Sequence, residues 1–129
     1  MEFSTTILAG GLLGVLAVPA SAQDDGLIVY NAQHESLTRA WVEGFTRDTG
    51  IKVTVRNGSD SELANQIVQE GAASPADVFL TENSPAMVLV DNANLLAPIT
   101  DSTLAQVLPA YRPMHGKWVG IAARTTVFA

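Results

Sequence analysis

Cysteine is absent from this chain of 129 residues. That excludes a disulfide framework, thiolate metal sites and a cysteine nucleophile. Basic residues are scarce: seven Lys and Arg stand against thirteen Asp and Glu, giving a formal charge of −6. So few cations leave no basic surface to neutralise phosphates, and nucleic acid is not an expected partner. Charged residues of both signs make up only 16% of the chain and apolar ones 47%, the opposite of the balance in a disordered acidic tail. No apolar run reaches the length of about 20 residues that spans a bilayer. Glycine-rich phosphate loops, a G-x-S-x-G elbow and an H-E-x-x-H metal motif are missing as well. What is left is a mildly acidic, apolar chain of single-domain length.

The front of the chain is the most apolar part. Ile7 to Val18 reads ILAGGLLGVLAV, followed by Pro19 and Ala20-Ser21-Ala22. A short apolar core ending in a small-x-small site is the pattern of a secretory signal peptide, which divides the chain into a leader over 1–22 and a domain over 23–129. The segment before the core, MEFSTT, departs from the pattern, with Glu2 and no basic residue. The alternative is a hydrophobic first helix, which Gly10, Gly11 and Gly14 would weaken.

Beyond the leader the pattern alternates between two periods. Leu27-Ile28-Val29-Tyr30 is a short apolar run rich in strand formers, expected as a buried strand. Leu37, Trp41 and Phe45 then recur at four-residue spacing, one apolar stripe on a helix over 35–48 that Gly50 ends. Ile51 to Arg56 alternates apolar and polar as a second strand. Asn57-Gly58 has hairpin chemistry, but Ser59-Asp60-Ser61-Glu62 is a capping box that opens a second helix running to Gly71. Asp77 to Thr81 is a third strand. Ser84-Pro85 predicts an N-cap followed by proline at the first position of a short helix over 86–91. A further short helix is expected over 100–107, a loop over 109–116 and a strand over 118–128. Strands alternating with helices predict an α/β fold: a parallel sheet with helices on both faces and strand order 2-1-3. In that order the crevice between the ends of the first and third strands is the switch point where ligands bind.

Two loops flank that crevice. The first carries Asn31-Ala32-Gln33-His34-Glu35 and the second Glu82-Asn83-Ser84. An imidazole and a carboxylate converging there are two ligands for a metal ion. The positive end of the following helix disfavours protonation of His34 and favours a ring able to ligate. Taken singly, each has an ordinary reading: His34 as an exposed or capping residue, Glu82 as a complement to a helix dipole. A hard trivalent ion wants about six donors, mostly oxygen, so these two make part of a site.

The segments VYNAQHES, TGIKV, NGSDSELANQI, SPADVFLTEN and GIAARTTVF resemble the periplasmic ferric-ion-binding proteins of ABC-type iron uptake. The resemblance runs from about Leu27 to the end of the chain, and YNAQH and ADVFLTEN are its specific parts. It implies a type II periplasmic binding protein whose two α/β lobes close on one Fe³⁺, with this chain as the N-terminal lobe and the second lobe missing. It implies that His34 and Glu82 are metal ligands and that Asn83 touches a synergistic anion such as phosphate or carbonate. The implied partner is a permease in the inner membrane. The full-length protein is expected to be a periplasmic monomer, soluble once the leader is removed. The family completes its ligand set with two consecutive tyrosines from the second lobe. The tyrosines here, Tyr30 and Tyr111, are not consecutive; Tyr30 is expected in the core and Tyr111 on the surface.

Other residues carry weaker signals. Arg124 is a candidate for holding the anion, or for a structural ion pair. Ser59 and Asp60 sit at the C-terminal end of the second strand, from which they could reach the rim of the cleft, although capping accounts for them fully. Trp41 and Trp118 are expected in the core or in packing between lobes. An organic solute such as a polyamine, thiamine or a sugar phosphate is the alternative cargo, but it would want aromatic walls or Asp clusters that these loops lack. No nucleophile or cofactor motif accompanies His34 and Glu82, so an enzyme is not expected. The leader makes one direct prediction: the exported protein should begin at Gln23 when its N-terminus is determined by mass spectrometry. An exported form retaining residues 7–18 would contradict it.

Overall fold

The computed structural model of the protein describes residues 26–123. The leader, Arg124 and the rest of the expected last strand lie outside them. Three strands form one parallel sheet in the order β2-β1-β3: β1 over Leu27–Asn31, β2 over Val53–Asn57 and β3 over Val78–Leu80. Leu27 pairs with Val53 and Asn31 with Asn57 on one side of β1. Val29 pairs with Val78 and Asn31 with Leu80 on the other. The second strand therefore begins two residues later than its alternation suggests and ends on Asn57, level with Asn31. The three C-terminal ends meet at one edge, as the expected strand order requires.

The helices follow from their caps. The first, α1 over Glu35–Thr49, carries the apolar stripe and stops where Gly50 takes φ 74°. The second, α2 over Asp60–Glu70, opens with the expected capping box: Ser59 Oγ accepts from Glu62 N, and Glu62 reaches back to Ser59 N. The third, α3 over Ser84–Asn92, starts one residue earlier than expected, with Asn83 at the N-cap and Pro85 in the first turn. A single turn, α4 over Asp101–Leu104, replaces the longer helix expected there. Residues 118–123 form no strand, and Gly120 N donates to the Tyr111 carbonyl at 2.7 Å instead of to the sheet.

Alternation along β1 divides the core. Tyr30, with Ile28 and Phe79, faces Leu63, Ala64 and Ile67 of α2 and Ala86 and Val90 of α3. Each fully buried side chain of that size contributes about 1.5–3 kcal/mol, so this layer is the main source of stability. Among the described residues the opposite face meets α1. There Leu27, Val29, Val53 and Val78 form an apolar wall against Trp41, Val42 and Phe45. Trp41, expected in the core or in packing between lobes, is 41% exposed and Phe45 38%. One helix is about 10 Å across, too narrow to cover three strands spaced about 4.8 Å apart together with their side chains.

Polar groups are anchored within these layers. The Tyr30 hydroxyl donates to Glu70 at 3.0 Å, and Gln66 and Ser74 also donate to that carboxylate. Arg56 lies 5.4 Å from the centroid of the Tyr30 ring, within cation–π range. Hydrogen bonds from Ser74, then Gln66 and Tyr30, hold the Glu70 carboxyl below its ordinary value of 4.5 against the opposing effect of burial. A carboxylate with a lower pKa in the folded state adds stability that is complete above its unfolded pKa. That stability is lost as pH falls through the folded value.

On the α1 face, Asn31 is 1% exposed and uses its whole amide. Its Nδ2 donates to the Gln33 carbonyl at 2.9 Å and to Asn57 Oδ1 at 2.8 Å. Its Oδ1 accepts from Thr38 Oγ1 at 2.8 Å and from Gln33 N at 3.1 Å.

Two outcomes are expected. Glu70→Gln should flatten the loss of stability on acidification below about pH 4.5, read as urea midpoints across pH. Asn31→Ala should destabilise the chain by about 2–4 kcal/mol, because it leaves the buried Thr38 hydroxyl and the Gln33 amide without their acceptor. A loss under about 1 kcal/mol in urea unfolding would remove Asn31 from its role as anchor.

Candidate metal centre

Parallel pairing places the loop after β1 beside the loop after β3, and the Ala32 amide ties them by donating to the Leu80 carbonyl at 2.8 Å. Within the first loop Gln33 folds back, its Oε1 accepting from His34 N at 2.8 Å. His34 then takes the N-cap position of α1, and its carbonyl accepts from Leu37 N and Thr38 N. Its ring makes no capping hydrogen bond, which removes the ordinary capping reading. The imidazole turns to the crevice instead, with Nε2 3.4 Å from Glu82 Oε1.

The two side chains differ in access. His34 is 70% exposed and Glu82 26%, so the carboxylate forms the floor of the crevice and the imidazole its rim. Ligand atoms bound to one ion at about 2.0–2.2 Å stand about 3.0 Å apart at a right angle and about 3.4 Å apart at the tetrahedral angle. The observed separation therefore suits two ligands of a single ion. Among the described residues no group of three or more His, Asp and Glu is arranged to hold a metal.

His34 and Glu82 are thus brought together as expected, and Asn83 lies next to them. The Asn83 side chain does not cap α3. Its Nδ2 donates to Asp60 Oδ2 at 3.1 Å, while Asp60 Oδ1 accepts from Glu82 N at 3.0 Å. Capping was the expected account of Asp60, with reach to the cleft rim as the other reading, and the structure shows the reach. Its carboxylate leaves the first turn of α2 and bridges to the loop after β3. Nothing local signals this, because an acidic residue in a first turn is common for dipole reasons alone. Asn31 was missed, and its pairing with Asn57 depends on a register that only the folded sheet supplies.

Tyr30 lies in the core and Tyr111 at the surface, as expected. Trp118 donates from Nε1 to Asp91 Oδ2 at 3.3 Å, and His115 Nε2 lies 2.9 Å from that oxygen. These contacts tie the segment after α4 to α3. Between that segment and Glu82, Asn83 and Met87 lies a cavity of about 520 Å³, whose far wall includes Arg112 and Trp118.

Comparison with known proteins agrees with this arrangement. Residues 31–129 match the family model described as bacterial extracellular solute-binding protein. The chain is 66% identical over 122 residues to the Fe(3+)-binding periplasmic protein of Serratia marcescens, covering 95% of this chain and 36% of that protein. It is 41% identical to the major ferric iron-binding protein of Neisseria gonorrhoeae, covering 86% of this chain and 33% of the relative. Among solved structures, iron-bound HitA from Pseudomonas aeruginosa superposes with a TM-score of 0.72 at 45% identity, over 74% of this chain and 31% of that one. A Trichodesmium protein solved in complex with iron and citrate ligands superposes with a TM-score of 0.66 at 36% identity, over 73% and 30%. The chain spans about a third of the length of the curated relatives it matches. With its sheet order, its switch-point crevice and a family match over most of its length, the chain belongs to the bacterial extracellular solute-binding proteins.

Proposed function

We propose that this chain supplies the first part of an Fe³⁺ site in a periplasmic binding protein, which carries the ion to an ABC-type permease. The observation that carries the reading is the 3.4 Å approach of His34 Nε2 to Glu82 Oε1 across the switch-point crevice. The relatives named for ferric iron support the choice of cargo. Glu82 provides the charged oxygen donor that a hard trivalent ion prefers, and His34 a neutral nitrogen beside it. The remaining donors come from outside the pair. Tyr30 cannot be one of them, since its hydroxyl is engaged with Glu70 on the other face of the sheet. In the complete protein two phenolates from a second lobe take that place, with an anion such as phosphate or carbonate held near Asn83 and Arg124.

Binding is electrostatic in this scheme. Carboxylate, phenolates and anion offset the ion's charge, and closure of the second lobe excludes water. Opening, reduction of the iron or protonation of the ligands releases it. In this scheme the leader over 1–22 directs export and is then removed. A polyamine or thiamine is the alternative cargo, and the relatives named for ferric iron favour the ion over it. The role is carriage, and no catalytic step is assigned to the pair.

Amide spectra recorded during titration with ferric acetate test the reading. Paramagnetic broadening should begin at residues 32–35 and 81–84, and Glu82→Ala should abolish that order of onset while leaving the melting temperature within about 2 °C, as expected of a surface change worth about 0.5 kcal/mol or less. Broadening that ignores these loops, or survives Glu82→Ala unchanged, would overturn the ligand assignment.

A further inference from the structure

Both oxygens of the Asp60 carboxylate grip the loop that carries Glu82 and Asn83. Its helix does not depend on it for capping, because Ser59 and Glu62 complete the capping box between themselves. One oxygen accepts from the Glu82 backbone and fixes the peptide from which the ligand side chain projects. The other accepts from Asn83 Nδ2. A carboxylate only accepts hydrogen bonds, so it holds the Asn83 amide with its nitrogen towards α2 and its oxygen turned away. Asp60 takes no part in a ligand cluster among the described residues.

We infer that Asp60 is the positioning residue of the metal centre: it fixes the Glu82 peptide, and so sets the direction from which the Glu82 carboxylate of the β3–α3 loop meets a cation. The inference rests on the proposed Fe³⁺ reading and deepens it. Groups that orient metal ligands typically change affinity by 10–100-fold when removed. Asp60 acts from a different helix, so the loop after β3 is held by the start of α2 as well as by its own strand.

Two variants separate positioning from charge. Asp60→Ala removes both acceptors. Asp60→Asn removes the charge but keeps an oxygen for Glu82 N, and Asn83 can invert its amide to meet the new nitrogen. In the metal-free chain, Asp60→Ala should speed hydrogen exchange at the Glu82 amide and shift the Asn83 side-chain amide signals. Asp60→Asn should leave the exchange rate near that of the parent chain. With ferric acetate as the probe, Asp60→Ala should weaken binding about tenfold or more and Asp60→Asn by less than about threefold, on the scale where about 1.4 kcal/mol is tenfold.

An unchanged Glu82 exchange rate in Asp60→Ala overturns the inference without reference to iron. Equal losses of iron affinity in Asp60→Ala and Asp60→Asn overturn it in favour of a charge effect. Loss of iron binding in Glu82→Ala but not in Asp60→Ala overturns the inference alone. No response to Glu82→Ala overturns the iron reading and the inference together.

Discussion

The Asn31 amide closes the last turn of the central strand, and the order of the functional edge depends on it. A parallel sheet fixes which residues stand level with one another, and here it sets Asn31 beside Asn57 on one side and Leu80 on the other. Asn31 converts that level into links. Its side chain reaches Asn57, the first helix through Thr38 and the following loop through Gln33, and its carbonyl accepts from Gly58 N at 3.1 Å. A buried amide is costly unless every donor and acceptor is met. The folded state therefore holds these partners as a set, and a displaced loop would strand several groups at once. That constraint carries His34 to the crevice: Gln33 is held at both ends, and the imidazole leaves the loop in a set direction.

The second link runs the other way around the edge. The start of α2 reaches the loop after β3 through Asp60, and the loop after β3 meets the loop after β1 through Ala32 and Leu80 and through Glu82 and His34. The three loops are each bound to the other two. A loop held only by its strand would sample several directions, and ordering it on binding would consume part of the binding free energy. Here much of that ordering is already achieved on folding, by bonds that use no metal.

How much of this was legible in the sequence depended on whether the signal was local. The stripe of Leu37, Trp41 and Phe45, the Gly50 stop and the Ser59–Glu62 box each contain their own physics within a turn or two, and each element formed where they place it. Strand order followed from alternation of strands and helices, and with it the meeting of His34 and Glu82. The contacts of Asp60, Asn31 and Asn57 were not legible, because their partners lie 22, 7 and 26 residues away and are chosen by register. Asn83 at the N-cap shows the same limit. Its side chain prefers a charged acceptor on another helix to the local capping bond that Ser84 was expected to make from the next position. The exposure of Trp41 is a matter of scale. A stripe tells which way a helix faces, and the width of what it faces is a property of the sheet.

The uneven cover of the sheet also bears on the site. The α2–α3 side holds the largest fully buried apolar side chains, Leu63 and Val90, together with Tyr30, while the α1 side has Val29 at 6% and leaves Val78, Trp41 and Phe45 partly open. His34 belongs to the helix of the thinner layer and Glu82 to the loop that enters the thicker one. Free energy of local opening scales with the buried contacts an element would lose. Among the described residues the carboxylate thus belongs with the layer that buries more apolar side chains and the imidazole with the layer that buries fewer. In the proposed Fe³⁺ site, the charged ligand is the one that gains most from a fixed position, since Coulomb energy changes steeply with distance. The neutral nitrogen at the rim can shift at smaller cost. Asn31 limits that shift by holding Thr38 of α1 to the central strand, so that motion of the outer helix is not passed undiminished to the ligand.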